Sequence, residues 1–191
     1  MKKKNPSDKN RIGAAALKLI AAKGWNKTDL PSIAKASKTS LTRVQKICPD
    51  MYQLAALLVQ YVTDETARNI GKIDADQSPH DRLFEVLMAR LDVLQKNRQA
   101  FLAIMLAIPR DYRLATSLIS AQMQAMQALL KLTELGNGGY RDTLSTAGLM
   151  VVYLAALLVW KRDETIDMSR TMAVCDKLLK RACKAAEILF R

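Results

Sequence analysis

Residues 24–49 read GWNKTDLPSIAKASKTSLTRVQKICP. Gly24 stands where a helix would end in left-handed geometry, and Thr28 or Asp29 then offers an N-cap for the next one. Pro31 falls in the first turn of that helix, where a missing N–H does no harm. The spacing predicts a short helix over 29–37 with Ile33 and Ala34 inward, then a tight turn at Lys38-Thr39. A second short helix follows over 41–47, capped by Ser40 and stopped by Pro49. Two short helices around a tight turn make a helix-turn-helix layout if a longer helix precedes them.

One does. Ser7 is a good N-cap, and Ile12, Ala16, Leu17, Ile20 and Ala21 form an apolar stripe over 7–23, with Trp25 placed to plug the gap beneath its end. Downstream, a helix over 50–71 begins polar and turns apolar through Leu54, Leu57, Leu58, Tyr61 and Val62. A polar loop over 73–78 leads to Ser78-Pro79-His80-Asp81, a strong helix start with cap, proline and acid in order. Further helices are expected over 79–96, over 98–108 (closed by Pro109), over 112–135, over 141–160 after the break at Asn137-Gly138-Gly139, and over 168–190. Gly and Pro are scarce and alternating strand patterns are hard to find, so the chain reads as all-α, with about nine helices.

Residues 148–160 carry no charge. Such a run is shorter than the roughly 20 residues a bilayer needs. It suits a helix buried on all sides, at the centre of a domain or in a dimer interface. In the last helix Met172, Cys175, Leu179, Cys183, Ala186 and Phe190 share one face, and Lys177, Lys180, Arg181 and Lys184 the other. That pattern is expected of a core or dimer helix with a solvated lysine face.

The net charge of +12 is unevenly spread. Residues 1–48 hold twelve Lys and Arg against two acids, a local excess that marks a phosphate-binding surface. Thr39, Ser40, Thr42, Arg43 and Lys46 crowd the start and outer face of the 41–47 helix, where small hydroxyls allow close approach and the cations reach bases or phosphates. Lys2 to Lys4, Lys27 and Thr28 are the candidates for holding phosphate, so the expected partner is double-stranded DNA. An ordinary solvated helix would explain the polarity of this stretch, but not the concentration of charge.

Three cysteines without a C-x-x-C pair fit a reducing, cytoplasmic setting rather than a disulfide framework. No histidine, cysteine and carboxylate grouping has metal spacing, no phosphate loop is present, and no nucleophile has a partner. Catalysis, a metal and a cofactor are therefore not expected. The single histidine, His80, is expected to be solvated in its helix's first turn. Met88, Met105, Met123 and Met126 are either core filler or the lining of an adaptable apolar pocket.

Gly24-Trp25-x-x-Thr28-x-Leu30-x-x-Ile33-Ala34, with Ser40, Val44, Pro49 and Leu54 beyond it, resembles the DNA-binding head of TetR-family transcriptional regulators. The resemblance implies a head over 1–52 and a helical ligand-binding and dimerisation body over 53–191. It also implies a homodimeric repressor relieved by a small apolar ligand, its two reading helices in successive major grooves and its last two helices forming the dimer contact. Four positions depart from the family pattern. Lys38 replaces the glycine of the turn, Gln45 a phosphate-binding tyrosine, Cys48 a phenylalanine and Met51 a phosphate-binding lysine. Gln45 can still donate one hydrogen bond; Met51 cannot. The segment Asp81–Met88 with Arg90-Leu91-Asp92, and Asp167–Met172 with Asp176-Lys177, also resemble the TetR-like lipid-binding proteins of ubiquinone biosynthesis. That resemblance implies an alternative: a carrier of lipid or isoprenoid that keeps the fold and has lost its operator.

Overall fold

The computed structural model describes residues 7–71, 73–74, 76–136 and 138–189. Among them are nine α-helices and no strand. These are α1 (Asp8–Lys23), α2 (Leu30–Ala36), α3 (Leu41–Ile47), α4 (Met51–Ile70), α5 (Pro79–Lys96), α6 (Arg98–Ala107), α7 (Tyr112–Leu132), α8 (Tyr140–Trp160) and α9 (Ser169–Leu189). Lys2 to Lys4, Asn137 and Phe190 lie outside the described residues.

Local chemistry accounts for several of these ends. Ser7 caps α1 through a bond from the Asn10 backbone N–H, and Gly24 closes it at φ 83°. Asp29, not Thr28, caps α2 by accepting from the Ser32 N–H at 2.8 Å. Ser40 holds the N-cap position of α3, but its side chain makes no capping bond. Two helices end earlier than their apolar pattern suggests. α6 gives way to a 3₁₀ turn over Ile108–Arg110 that contains Pro109. α7 stops at Leu132 because Thr133 turns its hydroxyl back onto the Leu130 carbonyl and Glu134 adopts φ 57°.

The chain divides into two compact units: residues 1–62 with 93–121, and residues 63–92 with 122–191. Helices α4, α5 and α7 contribute a segment to each. In the first unit, Ile12, Ala16, Leu17 and Ile20 of α1 bury against Ile33 of α2, Val44 of α3 and Leu54 and Leu58 of α4. Ala100, Ile104 and Ala107 of α6 and Leu114 of α7 complete that core. The three-helix head is thus sealed by residues far beyond position 52.

The second unit is built on α8 and α9, which pack on one another. Tyr153, Ala156 and Trp160 of α8 are wholly buried, as are Cys175 and Leu179 of α9. Of the two settings expected for α8, the centre of a domain does not hold within the single chain. Val151 is 67% exposed, Leu154 43% and Leu158 66%, so one whole apolar face is open in the single chain. Residues 148–160 belong to a longer charge-free run over 143–160 in a 21-residue helix, which is long and apolar enough to cross a membrane by length and composition. Its other face is packed within the unit and includes the buried Asp142 and Thr146.

Candidate nucleic-acid interface

The turn before α3 is set by backbone bonds. The Thr39 N–H reaches the Ala34 carbonyl at 3.0 Å and the Lys38 N–H the Lys35 carbonyl at 3.3 Å. This is the Schellman arrangement, whose pivot is usually glycine. Here the pivot is Lys38, at φ 54°. The Ser37 hydroxyl donates to the Ala34 carbonyl and the Thr39 hydroxyl to the Ser37 carbonyl, tightening the turn further.

α3 is held from beneath. Val44 is fully buried in the head core, Ile47 packs partly against it, and Cys48 is fully buried just past the helix end. Burial pushes the Cys48 thiol up, with a smaller push from Asp50, so it behaves as an apolar plug. With those three inward, Ser40, Thr42, Arg43, Gln45 and Lys46 are all exposed. Thr39 is half-buried at the edge of the same surface. Lys27 is exposed on the 3₁₀ turn Trp25–Lys27, directly before α2.

Thr28 departs from its expected role. It is 6% exposed, and its hydroxyl donates to the Gly24 carbonyl at 2.8 Å. Its side chain orders the loop carrying Lys27 rather than offering itself to phosphate. Met51 is half-buried against the head core, so the cation it replaces in the family pattern has no substitute at that position.

Every lysine and arginine of residues 7–48 is exposed: Lys9, Arg11, Lys18, Lys23, Lys27, Lys35, Lys38, Arg43 and Lys46. Arg43 is not idle. Its Nε donates to Asp8 of α1, which also pairs with Arg11. The Arg11 guanidinium first, and Arg43 second, hold the Asp8 carboxyl below its ordinary value. Arg43 nonetheless keeps 66% of its side chain exposed. A pair this open to water is weak and can be exchanged for another anion.

The methionines fall in different places. Met126 is fully buried, Met88 and Met123 are half-buried, and these three belong to the second unit, whereas Met105 belongs to the first. Nor is His80 solvated as expected. Its Nδ1 lies 2.9 Å from Asp81 and its Nε2 3.1 Å from Asp176 of α9, while its ring stacks on Phe84. Among the described residues no group of three or more histidines, cysteines or acids could hold a metal ion.

No family model matches the chain, and no curated protein does. Solved structures do. A TetR transcriptional regulator from Nitrosomonas europaea is similar with a TM-score of 0.73 at 16% identity, covering 93% of this chain and 99% of its own. A TetR-family transcriptional regulator from Streptomyces coelicolor has a TM-score of 0.55 at 16% identity, covering 93% and 88%. A fatty acid degradation regulator from Bacillus halodurans has 0.54 at 16% identity, covering 93% and 97%. The class that this all-helical architecture defines is the fold of the TetR-type transcriptional regulators. The chain carries that fold along nearly its whole length, with the helix-turn-helix at the end where its own charge is concentrated.

Proposed function

We propose that this chain is a DNA-binding transcriptional regulator of the TetR type: a cytoplasmic homodimer that represses until a small apolar ligand binds in its body, and a binding protein rather than an enzyme. One observation carries the reading. The outer face of α3 presents Ser40, Thr42, Arg43, Gln45 and Lys46 to solvent, in a head whose described cations are all exposed. Residues 1–52 would read DNA, with Thr39, Ser40, Thr42, Arg43 and Lys46 nearest the bases and Lys27 and Gln45 toward the backbone. Residues 53–191 would hold the ligand, Met88, Met123 and Met126 among its neighbours, and the second copy.

Fluorescence anisotropy on genomic duplex fragments tests this. Binding should weaken with salt at a slope of about −0.9 per phosphate neutralised. Arg43→Ala should flatten the preference between fragments. Lys27→Ala should weaken all of them and lower the slope by about one. No binding to any duplex at low salt would leave the lipid-carrier reading, which the loss of the cation at Met51 favours. That reading expects co-purified apolar ligand in native mass spectra.

A further inference from the structure

Arg90 of α5 is 1% exposed, one of the largest side chains wholly inside the second unit. A guanidinium does not give up its proton in a protein, so its charge is buried with it. Burying an ion is costly unless an opposite charge and a full set of hydrogen bonds accompany it. Arg90 has neither. One terminal nitrogen donates to the Thr63 hydroxyl of α4 at 2.9 Å and the other to the Gln122 side-chain carbonyl of α7 at 2.8 Å. The guanidinium carbon sits 5.2 Å from the centre of the Tyr153 ring of α8. All three partners are neutral. The buried Nε–H has no acceptor, and among the described residues no carboxylate lies within ion-pair distance of the group.

Four helices thus converge on a cation that lacks its anion. Tyr153 adds a second underused group, since its hydroxyl has only a 3.5 Å contact from the Gln122 amide. The residues about it are apolar: Leu87 one turn back on α5, Met126 one turn on from Gln122, and Met150 and Ala156 flanking Tyr153 are all buried. Sites between helices of this kind bind ligands through a few placed polar groups in an otherwise apolar wall.

We infer that the second unit binds an apolar small molecule bearing one carboxylate, with the acid head on Arg90 Nε and the Tyr153 hydroxyl. Thr63 and Gln122 hold the guanidinium in place. This deepens the proposed ligand response by giving the ligand a charge, and it rests on that reading only for its biological use.

The test uses the full-length chain, stripped of lipid, and needs no DNA. Unbranched alkanoates from butanoate to hexadecanoate, with benzoate, are titrated by calorimetry beside the matching uncharged alcohols. At least one acid should bind roughly 10- to 100-fold more tightly than its alcohol, the range expected of charge-assisted hydrogen bonds. Arg90→Met should abolish that preference and leave the alcohol's affinity within about twofold. The same variant, free of ligand, should melt no lower than the wild type, because it removes a buried charge that lacks its partner. If Arg90→Met does not fold, the guanidinium is structural and the inference fails. Arg90→Lys, which keeps a charge but loses Nε, should bind the acid at least about tenfold less tightly. Acids and alcohols binding alike, or no acid binding at all, would overturn the inference. A chain that takes up carboxylate but no duplex leaves it standing and removes the regulator; a chain that binds duplex but no carboxylate does the reverse.

Discussion

Lys38 holds a backbone conformation that L-residues other than asparagine and aspartate rarely choose, at φ 54°. Its side chain is exposed, so no packing compensates the strain. Lys38→Gly should therefore raise the stability of the first unit by about 1 kcal/mol, the usual cost of a left-handed non-glycine residue. Chemical denaturation followed by tryptophan fluorescence reads this directly, because Trp25 is 6% exposed in the same core. A lower midpoint would show that the lysine side chain contributes something the turn geometry does not require. Asp8 is the second residue whose effect belongs at this scale. It occupies Arg43, so Asp8→Asn should free the guanidinium and remove a repulsive charge from the face proposed to meet DNA. Duplex affinity should rise by roughly 3- to 10-fold at low salt and converge with the wild type as salt screens both. This pair spans 35 positions, and nothing in the local sequence announces it. Arg90 did leave a trace. It falls on the apolar stripe of Val86, Leu87 and Leu91, where a charged residue is out of place, but only the packed helices show that its partners are neutral.

At the scale of elements, sequence reading succeeds where the signals are local. α3 over Leu41–Ile47 and α5 over Pro79–Lys96 have the expected bounds: Pro49 follows the end of the first, and Ser78, accepting from the Asp81 N–H, with Pro79 fixes the start of the second. It falls short at the end of α7, expected near 135 and found at Leu132. The start of α9 lies within one residue of the expected 168, but the contact that anchors it is not legible in the local sequence. Asp163 is 1% exposed. One oxygen accepts from the Thr165 N–H and hydroxyl at 3.2 and 2.6 Å, the other from the Thr171 N–H and hydroxyl at 2.8 and 2.7 Å. Burial pushes this carboxyl upward, but the bonds from Thr165 and Thr171 outweigh it and hold the acid well below its ordinary value. The native group is therefore the more acidic one. Its stabilisation is complete above the ordinary value of 3.8 and is lost as pH falls through the lower native value. Asp163→Asn should cost about 2–4 kcal/mol at neutral pH, since an amide cannot accept from all four donors. The difference in melting temperature between variant and wild type should shrink below about pH 4, where the unfolded chain takes up a proton that the folded carboxylate still refuses. A difference that stays constant down to pH 2 would mean that the carboxylate's charge is not what matters.

For the molecule as a whole, the open face of α8 is the largest debt left by a single chain. Leu144, Val151, Leu154 and Leu158 repeat at helical spacing and are 38%, 67%, 43% and 66% exposed. On α9, Met172, Ile188 and Leu189 are 40%, 69% and 69% exposed. An apolar surface of this extent on adjacent helices is unusual for a soluble monomer and suits a self-complementary contact. Composition alone suggested burial all round, because the run 148–160 carries no charge and so does not distinguish a face turned to the chain's own core from one turned to a second copy. The two differ in what a charge would do. At Leu158, on the open face, a glutamate meets solvent in the monomer but another apolar surface in the dimer. Leu158→Glu should therefore convert a dimer to a monomer by light scattering while the helical circular dichroism stays within about 10% of the wild type, as expected of a surface substitution. The monomer should lose duplex binding far more than the loss of one ion pair would explain, because two half-sites no longer act together. A Leu158→Glu chain that remains dimeric would move the contact to another surface, and a wild type that is monomeric at micromolar concentration would remove the paired-groove geometry on which the proposed operator recognition depends.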